Sequence, residues 1–140
     1  MILVDTGPLV AIFNARDERH DACIETIAAL RPPLRTCWPV ITETAYMLGG
    51  VPGAITRLLA GVEDGAFELS QLDDAAVPWI SAFMQKYESI NAQLADASLC
   101  YLAEREDIRT IFTLDRRDFG VYRLKGNRKL KIIPEAPHPS

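Results

Sequence analysis

Ile2-Leu3-Val4-Asp5-Thr6-Gly7-Pro8-Leu9-Val10-Ala11 opens the chain and decides how the rest is read. An apolar run ends on a carboxylate, and Gly-Pro follows at once. A short apolar run bounded by turn residues reads as a buried strand. The pattern predicts a strand over 1–5, a break at Gly7-Pro8 and a short helix beginning at Leu9-Val10-Ala11-Ile12-Phe13. Proline is well tolerated early in a helix.

Outward from this stretch, strand-like and helix-like segments alternate. Asp17 or Asp21 opens a helix with Cys23, Ile24, Ile27, Ala28 and Leu30 on one face, ended by Arg31-Pro32-Pro33. A short strand lies around Leu34–Cys37. Pro39 and Thr42 introduce a helix through Glu43–Leu48, which Gly49-Gly50 stops. Helical spacing returns over about 53–61, 75–87 and 93–106. In the last of these, Leu94, Ala95, Ala97, Leu99, Leu102 and Ala103 are expected to pack inward. Phe67-Glu68-Leu69, Thr110–Leu114 and Leu130–Ile133 read as strands. Such alternation predicts a parallel sheet covered on both faces. One domain over 1–134 is expected, with a Pro-rich flexible tail over 135–140.

Composition narrows the classes. At 140 residues and 49% apolar, the chain can bury a substantial core. No apolar stretch approaches the roughly 20 residues that cross a bilayer, and no signal-peptide pattern opens the chain. Cys23, Cys37 and Cys100 are odd in number and have no Cys-x-x-Cys spacing, so they read as buried thiols in a reducing cytoplasm. Charge is uneven. Residues 1–115 carry 17 acidic against 8 basic side chains, and residues 116–140 carry 2 against 7. A solvated basic segment accounts for this, and so does a surface that meets a polyanion beside an acidic site.

Four acids stand at boundaries between elements. Asp5 and Asp115 each end a strand; Glu43 and Asp96 lie near helix starts. In parallel α/β sheets, strand C-termini and helix N-termini share the edge where ligands bind. Singly, each has an ordinary explanation. Asp5 suits the turn through Thr6-Gly7-Pro8, Glu43 in a first helical turn suits the helix dipole, and Asp115 has Arg116 and Arg117 beside it. Asp96 is harder to explain, because it lies among small and apolar residues where an unpaired charge is costly. Gathered at one edge, four carboxylates repel one another unless a hard cation sits among them. Mg²⁺ or Mn²⁺ takes oxygen ligands, polarises a phosphoryl oxygen and supplies a bound hydroxide. Thr6 and Thr113 stand where a hydroxyl orients a carboxylate or a bound water.

Other chemistries fit poorly. The sequence has no Walker-type phosphate loop, no Gly-x-Gly-x-x-Gly and no Gly-x-Ser-x-Gly elbow. His20 sits in a charged segment and His138 in the tail, and no paired Cys or His spacing suits zinc. An aspartyl phosphotransferase of the haloacid-dehalogenase type needs a second Asp two residues after the first, and position 7 is Gly.

These residues resemble the PIN-domain family. Ile2–Ala11 is similar to its opening, in which the first metal-binding aspartate ends strand one. Val40-Ile41-Thr42-Glu43, Leu94-Ala95-Asp96-Ala97-Ser98-Leu99 and Thr113-Leu114-Asp115-Arg116-Arg117-Asp118-Phe119 resemble its later acidic motifs. The resemblance implies a three-layer α/β/α fold with a central, mainly parallel sheet. It implies a Mg²⁺- or Mn²⁺-dependent endoribonuclease leaving 5′-phosphate and 3′-hydroxyl ends. Asp5, Glu43, Asp96 and Asp115 take the metal-site roles, and Asp118 is a rival or companion to Asp115. Small PIN proteins of this length include the VapC-like toxins of type II toxin–antitoxin pairs, which are held by a cognate antitoxin and often form homodimers. Arg116 and Arg117 are then placed to bind the RNA backbone. A PIN-like domain that binds RNA without cleaving it is the main alternative.

Overall fold

Ile2–Val4 forms β1, and Leu3 and Val4 are wholly buried. Burial on both faces is what an uninterrupted apolar strand requires, and each such side chain contributes roughly 1.5–3 kcal/mol. In the computed structural model, residues 1–136 are described. The remaining strands are β2 (Leu34–Thr36), β3 (Phe67–Leu69), β4 (Thr110–Phe112) and β5 (Lys131–Ile133). They form one sheet in the order β3-β2-β1-β4-β5, with every pair parallel. Leu3 on β1 is in register with Arg35 on β2 and Ile111 on β4.

Seven helices connect the strands: α1 (Thr6–Phe13), α2 (His20–Ala28), α3 (Trp38–Met47), α4 (Ala54–Glu63), α5 (Ala76–Lys86), α6 (Leu94–Arg105) and α7 (Arg116–Val121). The chain runs outward from β1 to β3, then crosses back to β4 and continues to β5. Right-handed crossovers therefore place the helices before β3 on one face and those after it on the other. Accordingly α1 packs on α2, α3 and α4, and α5 packs on α6. The result is a three-layer α/β/α fold. The winding direction reverses between β1 and β4, and ligands of such sheets bind in the crevice outside the strand ends at that switch point.

Several elements differ from the sequence expectation. Helix α1 begins at Thr6, three residues earlier than expected. Gly7-Pro8 lies within its first turn, where the missing N–H of proline costs nothing. Helix α3 begins at Trp38 with Pro39 in its first turn, so Glu43 is the sixth helical residue and not in the first turn. The dipole explanation for Glu43 thereby lapses, because that effect fades beyond the first turn. Helix α7 has no counterpart in the expected elements. Leu94 is 56% exposed at the start of α6 instead of packed inward, and Ile24 on α2 is also exposed. Of the Pro-rich tail expected at 135–140, the part from Pro137 on, with His138, lies outside the described residues. No helix among the described residues is long and apolar enough to cross a membrane.

Candidate active site

Asp5 follows β1 directly. Its backbone N–H donates to the carbonyl of Phe112 at 3.0 Å, which continues the pairing with β4. The chain beyond β4 is held on its other side by an N–H bond from Thr113 to Ile133 of β5 at 3.1 Å. Two adjacent parallel strands thus deliver Asp5 and Thr113 side by side, and the Thr113 hydroxyl donates to Asp5 Oδ2 at 2.8 Å. The same hydroxyl accepts the N–H of Asp115 at 3.0 Å. Asp115 then caps α7, its Oδ1 accepting the N–H of Asp118 at 3.0 Å. An acid at the cap, followed three residues later by a second acid, is the local signal that accounts for α7. It is legible in Asp115-Arg116-Arg117-Asp118.

Asp96 is the third residue of α6 and is buried. Its Oδ2 accepts a 2.7 Å hydrogen bond from the Tyr122 hydroxyl, just past the end of α7. Glu43 reaches the site from α3. All four acids expected from the sequence line one cleft of ≈ 580 Å³ with Thr6 and Asp118. Within it, carboxylate oxygens of Asp96, Asp115 and Asp118 lie within 4.8 Å of one another. Asp5 and Glu43 line the cleft outside this tightest triple. Asp118, ambiguous in sequence, is part of the triple alongside Asp115. Arg116 and Arg117 are exposed on the first turn of α7, and Arg116 donates to the carbonyl of Pro134 at 2.6 Å. Elsewhere in the basic segment, Arg123 and Arg128 bond backbone carbonyls, while Lys125, Lys129 and Lys131 are exposed. Tyr122 was not legible as a site residue. Its partner lies 26 positions away, and no local pattern marks it.

The electrostatics are those of crowded, poorly hydrated acids. Burial pushes the Asp5 carboxyl up to about 6, with the charges of Glu43 and Asp115 adding to it and the Thr113 hydroxyl opposing it. Burial and the charge of Asp5 hold Asp96 at about 7, against the stabilising bond from Tyr122. Glu43 is raised by burial and by Asp96, and Asp118 by burial and by Asp115. The ion pairs of the chain run elsewhere, between Arg35 and Glu68 or Glu106, Arg105 and Glu106, and Arg109 or Arg128 and Asp107. Among the described residues, no Lys or Arg lies within salt-bridge distance of the five cleft acids.

These features fit a divalent cation. Five oxygen-bearing acids converge in a cleft that, among the described residues, no Lys or Arg lines; only Arg117, at its edge, opposes the rise of Asp118. Oxygen donors are what Mg²⁺ and Mn²⁺ take. Thr6 supplies a second sign. Its hydroxyl is buried at the cleft wall with no hydrogen-bond partner, in a place where a bound water or ion would satisfy it. Size alone would not have found the cleft. Two hollows of ≈ 660 and ≈ 680 Å³ are as large, but they are lined mainly by apolar groups such as Ile80, Met84 and Leu94, or Trp38, Tyr46 and Leu94.

The chain is similar to known proteins. A family model described as PIN domain matches residues 2–124. Ribonuclease VapC26 of Mycobacterium tuberculosis (strain ATCC 25618 / H37Rv) is 33% identical over 138 residues, covering 95% of this chain and all of that protein. The crystal structure of Mycobacterium tuberculosis VapC20, described as a Sarcin-Ricin loop cleaving toxin, superposes with a TM-score of 0.76. The match covers 84% of this chain and 92% of that one at 19% identity. At that identity the likeness concerns the fold.

Proposed function

The chain belongs to the PIN-domain family, and from that premise we propose that it is a metal-dependent endoribonuclease acting as the toxin of a toxin–antitoxin pair. The observation that carries this reading is the convergence of Asp5, Glu43, Asp96, Asp115 and Asp118 in one cleft whose lining, among the described residues, holds no Lys or Arg. Its similarity over nearly the whole chain to a protein named as a ribonuclease supports the RNA substrate.

Asp5, Glu43, Asp96 and Asp115 hold Mg²⁺ or Mn²⁺, with Asp118 as a further oxygen donor beside Asp115. When bound, the ion supplies an activated water and charge neutralisation at the phosphoryl group. The protein contributes rigid placement. Thr113 orients Asp5 and the turn into α7, and Thr6 lines the cleft beside Asp5. Arg116 and Arg117 stand at the rim beside Asp115 and contact the RNA backbone, which positions the strand without reading its sequence.

Two partners follow from the same reading. An antitoxin protein holds the nuclease inactive. A second copy of the chain covers Trp38, Tyr46, Met47 and Leu94, large apolar side chains of α3 and the start of α6 that are each more than half exposed. Buried free thiols at Cys23, Cys37 and Cys100 suit the reducing cytoplasm, where the RNA substrate is found.

The test is cleavage of a structured RNA by the purified chain with Mg²⁺ or Mn²⁺. Products with 5′-phosphate and 3′-hydroxyl ends, abolished by chelation and restored by added metal, are expected. Cleavage that persists in chelator contradicts the reading.

A further inference from the structure

We infer that Tyr122 is a positioning residue of the metal site, its hydroxyl fixing the orientation of the Asp96 carboxylate. This rests on the metal-site reading above. Tyr122 is 2% exposed, and a buried phenol needs a hydrogen-bond partner. The partner is Asp96 Oδ2 at 2.7 Å, a length typical of a hydroxyl donating to a carboxylate.

The hydroxyl has little freedom to swing away. The Tyr122 ring is clamped by Phe83, Tyr87 and Phe119, with centroids 4.9, 5.0 and 5.1 Å distant. Its backbone N–H donates to the Asp118 carbonyl at 3.1 Å. The next residue is held too, because the Arg123 N–H donates to the Tyr87 hydroxyl at 2.9 Å. Phenylalanine would satisfy this aromatic packing equally well. The hydroxyl is therefore explained by Asp96 and not by the core.

The placement has a consequence for the cleft. Helix α7 is capped by Asp115, carries Asp118, and leads directly into Tyr122. One six-residue helix thus sets three carboxylates: its cap Asp115, its own Asp118 and, through Tyr122, the one on α6. Groups that hold metal ligands from outside govern affinity, and their loss costs about 10- to 100-fold.

The test compares Tyr122→Phe with Phe67→Leu in the full chain. Phe67→Leu opens the core against Phe13, away from the cleft and from the rings around Tyr122. The readouts are Mn²⁺ affinity, from free Mn²⁺ by electron paramagnetic resonance at pH 8, and the melting temperature without metal. Tyr122→Phe is expected to weaken Mn²⁺ binding about tenfold while its metal-free melting temperature stays within a few degrees of wild type. Phe67→Leu is expected to lower the melting temperature and leave Mn²⁺ affinity within about twofold. Wild-type Mn²⁺ affinity in Tyr122→Phe overturns the inference alone, as does a loss of stability with affinity intact. A wild-type chain that binds no Mn²⁺ overturns the metal-site reading and the inference with it.

Discussion

The hydroxyl of Thr113 donates to the buried Oδ2 of Asp5 at 2.8 Å, across 108 positions of sequence. It joins the two strands that meet where the winding of the sheet reverses. Because it also accepts the Asp115 amide, one side chain ties Asp5 to the turn that carries Asp115 and Asp118. Thr113→Val keeps the β-branched shape and removes both bonds. Leaving a buried carboxylate and an amide unsatisfied costs about 1–3 kcal/mol. Denaturant unfolding of the metal-free protein checks this, and a loss below a few tenths of a kcal/mol contradicts it.

Metal-free stability should fall as pH rises from 5 to 8. Asp5 and Asp96 hold their protons in the native state up to about 6 and about 7, well above the ordinary aspartate value of 3.8. Between those limits the native state binds more protons than the unfolded state, so stability decreases with pH. The contribution is fully present below about 4 and lost as pH passes the two native values. Each pKa unit is worth about 1.4 kcal/mol, enough to move a melting temperature by several degrees. Saturating Mg²⁺ or Mn²⁺ should flatten the profile, because the ion takes the place of the protons. A metal-free profile that rises from pH 5 to 8 contradicts the account.

Asp115 caps a helix and faces the cleft, and the two roles separate by substitution. Asparagine is as good a cap as aspartate, so Asp115→Asn should leave the melting temperature nearly unchanged. It should weaken Mn²⁺ binding about tenfold or more, as should Asp118→Asn, if both acids of the triple meet the ion. Titration calorimetry with Mn²⁺ checks both. Unchanged affinity in Asp118→Asn removes that residue from the ligand set.

Arg117 is exposed beside Asp118, and its role is electrostatic. Arg117→Ala should raise KM for RNA while kcat holds. The dependence of log KM on log salt should lose roughly 0.7 in slope, the value for one phosphate contact on a single strand. Steady-state cleavage at several salt concentrations reads this directly. An unaltered slope places the RNA backbone elsewhere.

Much of this was legible in sequence because it is local. Ile2-Leu3-Val4-Asp5 and Thr110–Leu114 announce buried strands by uninterrupted apolarity, and their terminal acids mark the sheet edge. Asp96 betrays itself as a charge among small residues. What escaped depends on tertiary neighbours. Tyr122 reads as an ordinary core aromatic until α6 is placed against α7. Leu94 carries an inward pattern, yet it begins its helix between two apolar surface hollows and stays exposed. Glu43 reads as a first-turn acid only if the helix starts after Pro39, whereas Pro39 is its second residue. Helix α7 is short, and its apolar content is too slight to show a period.

The central claim is that the carboxylate cluster drives RNA cleavage through a bound cation, and Asp96→Asn tests it most directly. Asparagine can still accept the Tyr122 hydroxyl, and it removes a buried charge, so the metal-free fold should be retained or slightly stabilised at pH 8. RNA cleavage at saturating Mn²⁺ should fall on the order of 100-fold or more, beyond what loss of an outer partner costs. Cleavage at the wild-type rate by the folded variant would contradict the account.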